Sequence, residues 1–103
     1  MGGTGLARAI ELCRRNEAIW TRATHPEDWV KTQICLGLTL TDQAGRTEGA
    51  AGAALLADAV AAYRATLEVF TRAMYPADWA MTQISLGYAL LAHADRTVAR
   101  QSG

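Results

Sequence analysis

The chain says nearly the same thing twice. The stretch HPEDWVKTQICLGLTL, from His25, returns fifty residues later as YPADWAMTQISLGYAL, from Tyr75. Aligning 22–40 with 72–90 without a gap gives eleven identities in nineteen positions. They are Arg22/Arg72, Ala23/Ala73, Pro26/Pro76, Asp28/Asp78, Trp29/Trp79, Thr32/Thr82, Gln33/Gln83, Ile34/Ile84, Leu36/Leu86, Gly37/Gly87 and Leu40/Leu90. The match extends outward to Leu6/Leu56, Ala7/Ala57, Ala9/Ala59 and Thr21/Thr71, and to Arg46/Arg96 and Thr47/Thr97. A period of about 20–50 residues marks a stacked array, in which no unit buries its apolar face alone. The chain therefore reads as one domain over 1–103, made of units at about 1–50 and 51–100.

Each unit reads as two helices. The first, about 5–23 and again 53–73, is rich in Ala, Leu, Arg and Glu, all good helix formers. In the second copy Leu56, Ala59, Val60, Tyr63, Leu67 and Phe70 recur at helical steps. The next helix starts at Pro26 or Pro76, since proline suits a first turn where no N–H is needed. Asp28 and Asp78 fall in that turn, where the helix dipole favours a carboxylate. Two apolar rows follow, Trp29–Gln33–Leu36–Leu40 and Val30–Ile34–Leu38, so this helix is to be covered on more than one side. Gly37 and Gly87 interrupt it, at a cost of up to ~1 kcal/mol against alanine; their expected role is to let a neighbouring helix come close. QAGRTEGAAG, from Gln43, reads as the loop between units. Four helices result, with no strand-like alternation: an all-α fold of tandem antiparallel helix–turn–helix repeats.

Composition removes several function classes. Half the residues are hydrophobic and 19% are charged, which permits a packed core. Ten basic residues balance ten acidic ones, evenly in both halves, so no basic stripe points to nucleic acid or an anionic membrane. No run approaches the ~20 apolar residues of a membrane span. The N-terminal MGGTGLARAIELCRRNEA lacks the apolar core of a signal peptide, and Leu6 stands where a myristoylation motif needs Ser or Thr. The expectation is a soluble cytoplasmic protein.

No chemistry assembles from the titratable residues. Asp28 and Asp78 have no second acid or His at a working spacing. Cys13 and Cys35 form no CxxC pair and have no His at metal spacing, so they read as reduced, mostly buried thiols, with a disulfide as the open alternative. His25 and His93 read as solvated or capping residues. Trp20, Trp29 and Trp79 read as core wedges, Thr32–Gln33 and Thr82–Gln83 as interhelical hydrogen-bonders, and Arg22 and Arg72 as partners of a helix C-terminus. With no phosphate loop, dinucleotide fingerprint, nucleophile elbow or HExxH motif, the chain is expected to be no enzyme and to carry no cofactor or metal.

The spacing of Leu36, Gly37 and Leu40, then Ala59, Tyr63 and Thr66, then Leu86, Gly87 and Leu90, resembles the tetratricopeptide repeat over almost the whole chain, in its long-repeat bacterial form. In that family a Leu-Gly pair in one helix packs against a small–aromatic–small pattern in its partner. The resemblance implies a fragment of a right-handed superhelix that binds proteins or peptides in a groove formed by the Pro-started helices. The contact positions it implies are Lys31, Ile34, Leu38 and Thr41, with Met81, Ile84, Tyr88 and Leu91 in the second copy. The sequence departs from the family in three ways. Its period is fifty rather than about 34, Cys13 stands where the second copy has Tyr63, and the groove lacks asparagines. An apolar helix or peptide face suits such a groove better than a C-terminal carboxylate, for which only Lys31 could serve.

The phase of the repeat points to the partner. Stacked units need about three copies and polar caps for independent stability, and here the apolar TQISLGYALLAHADRT helix has nothing after it to cover it. A homo-oligomer is expected, most simply a two-fold dimer that continues or closes the stack. Two other readings stay open: a carrier of a small apolar ligand held between facing helices, and a fragment of a longer array.

Overall fold

The computed structural model describes the backbone of residues 2–102 and the side-chain surroundings of Gly5 and residues 8–96. The Leu6, Ala7 and Thr97 side chains of the repeat alignment lie outside the described residues. Four helices follow in order: α1 (Gly2–Ile19), α2 (Pro26–Gly45), α3 (Gly49–Val69) and α4 (Pro76–Ser102), and no strand occurs among the described residues. Consecutive helices pack on one another, and α2 also touches α4. The result is a slab of 44 × 30 × 18 Å.

The helix starts are as expected. Pro26 and Pro76 open α2 and α4, with Glu27, Asp28 and Asp78 in the first turns. No side chain caps α2, because His25 makes no capping bond; the carboxylates act through the dipole instead.

The ends of the preceding helices differ from expectation. They stop at Ile19 and Val69, four residues before the predicted Ala23 and Ala73. The reason is local. Thr21 Oγ1 accepts the Thr24 N–H at 3.2 Å, and Thr71 Oγ1 accepts the Met74 N–H at 3.4 Å. A threonine hydroxyl thus offers the backbone an alternative to the helix, and the residue before each proline is pushed out of the helical region.

The link between units is also shorter than predicted. Only residues 46–48 of the Gln43–Gly52 stretch lie outside helices, so the extra length of the repeat went into the helices. Gly49 has φ +71°, a left-handed conformation that glycine adopts without steric cost. The Arg96 guanidinium reaches from α4 to the Thr47 and Ala44 carbonyls at the end of α2. A Cβ on Gly52 would run into that guanidinium and the Thr47 carbonyl, which is why glycine fits there. Arg96 thus gives the Thr47 carbonyl a donor and the Ala44 carbonyl a second one beside the Thr47 N–H. Arg96→Ala is expected to cost about 1–2 kcal/mol, read as a lower melting midpoint. Arg96→Lys should restore only part of it, because one ammonium cannot reproduce the planar fork. An unchanged midpoint in the alanine variant would show that this contact adds nothing to stability.

The core runs along the seam of all four helices. It gathers Cys13, Leu36, Leu40, Ala59, Val60, Ala62, Tyr63, Leu86 and Ala89, with Leu67 half-buried beside it. Gly37 does admit its neighbour: a Cβ there would stand 2.6 Å from Tyr63 Cε1. Gly87, its repeat, has nothing within 4 Å of the same point.

Several single-residue expectations are corrected by this packing. Trp20 is exposed rather than a core wedge, while Trp29 and Trp79 are half-buried. Arg22 and Arg72 cap no helix end; each lies over its own unit's tryptophan, at 5.8 and 5.7 Å from the ring centroid. Thr32 and Thr82 bond back to the Asp28 and Asp78 carbonyls within their own helices. Gln33 does cross between helices, donating to Glu17 Oε1 at 2.5 Å, but Gln83 is exposed. The repeat explains the difference: the residue fifty positions after Glu17 is Leu67, which cannot accept a hydrogen bond.

Candidate partner-binding surface

The two Pro-started helices lie side by side. Tyr75, just before α4, donates its hydroxyl to Glu27 Oε1 at 2.8 Å, joining the helix starts of the two units. That hydrogen bond to a carboxylate is the main reason the Tyr75 phenol is pushed above its ordinary range.

Between α2 and α4 runs an open cleft with Tyr63 of α3 as its floor. One part, about 270 Å³, is lined by Ile34, Leu38, Met81, Thr82 and Ser85, with Asp78 at its end. It continues into a second part of about 310 Å³ beside Thr41, Asp42 and Tyr88. The Tyr63 hydroxyl neighbours Thr41, and burial pushes its pKa up. The cleft is therefore an apolar trough with a carboxylate toward each end. It holds no nucleophile–base pair, and among the described residues no group of three metal-ligating side chains forms.

Of the eight expected contact positions, Ile34, Leu38, Thr41, Met81 and Tyr88 are brought together in this cleft. Lys31, Ile84 and Leu91 are not among its lining residues. Lys31 is exposed on α2. Ile84 and Leu91 are exposed on α4 and, at seven residues apart, share a helix face with Gly87. Sequence reading missed Tyr63 as a cleft residue. The available signal was Gly37: an aromatic that fits against a helix glycine sits deep between two helices and can floor the groove beside them.

The outer face of α4 forms a second surface. In α2, Val30, Gln33, Gly37, Leu40 and Ala44 are all buried. Their repeat mates in α4, namely Ala80, Gln83, Gly87, Leu90 and Ala94, are all exposed. Four of the five pairs are identical in sequence: Gln33/Gln83, Gly37/Gly87, Leu40/Leu90 and Ala44/Ala94. Thr82 and Leu86 stay buried like Thr32 and Leu36, because those positions turn toward helices that both units possess. The α4 face is thus built like an interior surface and has no neighbour. The other end of the slab is open too: Leu12 and Ile19 of α1 are exposed, whereas their mates Ala62 and Val69 in α3 are buried and half-buried.

No family model matches the chain, and no curated protein or solved structure matches it. No helix of the described residues is long and apolar enough to cross a membrane.

Proposed function

We propose that the chain is a tetratricopeptide-like scaffold module that works by protein–protein association, and that it self-associates through the uncovered face of α4. The observation that carries this is the set of five positions buried in α2 and exposed in α4. A face with the composition of a core is stabilised when a helix covers it, at roughly 25 cal/mol per Å² of apolar surface removed from water. The total exposed area supports the reading. It is 6360 Å², several hundred Å² above the about 5,600 Å² expected of a monomer of this mass.

A second copy is the occupant that the repeat itself supplies. Helix α1 is the repeat mate of α3, and α3 covers this face of α2 at Gly37 through Tyr63, while Gln33 reaches Glu17 of α1. Stacking α1 of one copy on α4 of the next would cover Leu12 and Ile19 together with Ile84, Leu90 and Leu91. A two-fold dimer with α4 against α4 covers the last set and leaves α1 open, so head-to-tail stacking is favoured. The cleft between α2 and α4 would then be one segment of a longer groove for an apolar peptide face.

Molar mass by light scattering, over a hundredfold range of concentration, tests the reading. Stacking predicts a mass that climbs with concentration in multiples of 11.0 kDa. A mass fixed at two chains would replace stacking by the closed dimer, and a strict monomer would overturn self-association. Ile84→Glu and Leu91→Glu, both at exposed positions of the outer α4 face, should each weaken association at least tenfold, about 1.4 kcal/mol, with helicity unchanged. Equal association in both variants would move the interface away from α4.

A further inference from the structure

Cys13 and Cys35 lie in different helices, 22 residues apart in sequence, yet their sulfurs are 3.0 Å apart. Both are free thiols, Cys13 buried and Cys35 exposed. The pair is specific to the first unit, since the matching positions in the second are Tyr63 and Ser85. An exposed cysteine has no packing to account for it, and here it stands directly over a buried one. We propose that this pair is a modification site: Cys13 and Cys35 join in a reversible intramolecular disulfide that fastens α1 to α2.

The geometry needs little movement. A disulfide bond is about 2.05 Å long, so the sulfurs approach by about 1 Å, within the reach of side-chain rotation. A disulfide of the glutathione class serves as oxidant. The exposed Cys35 thiolate attacks one of its sulfurs, forms a mixed disulfide and releases one glutathione thiolate, which takes up the proton that Cys35 gave to water. The Cys13 sulfur then attacks the Cys35 sulfur and displaces the second glutathione, its own proton leaving with that group. Two protein thiols are oxidised and one glutathione disulfide is reduced to two thiols. Burial is the largest of the effects that push the Cys13 thiol up to about 12, followed by the Cys35 contact. Burial also raises the cost of forming the Cys13 thiolate that the second step requires, because the thiolate is the nucleophile.

The consequence falls on α1, whose backbone among the described residues packs on α2. A cross-link between them ties that helix down, and constrains it in the unfolded chain as well.

The test is equilibration of the full chain with oxidised glutathione, followed by alkylation in denaturant and intact-mass measurement without reductant. The expected product is a monomer lighter by two hydrogens, with no alkylatable thiol, and with a melting midpoint raised by on the order of 10 °C. A one-glutathione adduct should appear and decay before it. Cys35→Ser, at an exposed position that tolerates the change, should give neither the lighter product nor the raised midpoint. The proposal is overturned by two thiols that stay alkylatable, by a one-glutathione adduct that persists, or by cross-linked dimers in place of the lighter monomer.

Discussion

Tyr63→Ala is expected to cost about 3–5 kcal/mol, as large aromatic truncations in a core do, and to lower the melting midpoint by more than about 10 °C. Tyr63 is 2% exposed, the largest of the fully buried side chains, and it meets both units at once. Its ring lies against Gly37 of α2, and it floors the cleft wall shared with Ser85 of α4. Alanine would leave a hole where α2, α3 and α4 meet. Total stability for a chain of this length is on the order of 5–15 kcal/mol, so the variant should be partly unfolded at 37 °C by circular dichroism. Tyr63→Phe separates shape from hydroxyl. It keeps the ring and should melt close to the parent. It should also flatten the alkaline limb of the stability curve. The buried phenol has its pKa raised from 10.0, so its contribution is complete below pH ~10 and is lost as pH rises through the higher folded value. A Tyr63→Ala chain that melts within a few degrees of the parent would show that the three-helix junction is not the centre of the fold.

The two helix glycines should respond in opposite directions to one substitution. Gly37→Ala places a Cβ 2.6 Å from the Tyr63 ring, so the ring must give up its place against α2 and shift toward the cleft that it floors. Overpacking of this kind costs about 1–3 kcal/mol. Gly87→Ala meets nothing within 4 Å. There alanine gains helix propensity, about 0.5–1 kcal/mol, in the isolated chain. The comparison is made in dilute solution by thermal or urea unfolding of both variants. At high concentration Gly87→Ala serves a second purpose, because a covering helix at that face should find the new methyl group in its way and bind less tightly. If both alanines destabilise the dilute chain equally, then Gly87 is covered from within and the open-face account fails.

How much was legible without the structure depended on which force set each feature. The four helices and their proline starts were readable, because propensity, period and the first-turn acids all act locally and agree. The apolar row Leu56, Ala59, Val60, Tyr63, Leu67 and Phe70 was readable for the same reason: all are buried except Leu67, which is half-buried. The early stops at Ile19 and Val69 were harder, since they hang on single threonine hydroxyls competing for a backbone N–H. The loop between units was misread because glycine-rich composition resembled a linker. In fact Gly49 supplies a turn and Gly52 makes room for Arg96, a contact across more than forty residues. The candidate cleft was half legible. The family resemblance implied Ile34, Leu38, Thr41, Met81 and Tyr88 as groove positions, which do meet in the cleft, but it put Lys31, Ile84 and Leu91 on the same face. A repeat reports which positions are equivalent and is silent on which neighbour each one meets at the end of the array. Gln33 and Gln83 show this most simply: one donates to Glu17, and the other is exposed, with Leu67 at the position that matches Glu17.

Arrays of stacked units ordinarily come apart from their ends, because each unit is held only by its neighbours. The Arg96 guanidinium alters that here. It sits in the last helix, yet the carbonyls it holds belong to the junction between the first unit and the second. Fraying of α4 back to that residue would release the end of α2 at the same moment, so loosening at the rim of the molecule is transmitted to its waist. The two copies of the repeat should accordingly melt as a single cooperative body, with no stage at which residues 1–50 stand folded while the rest has let go.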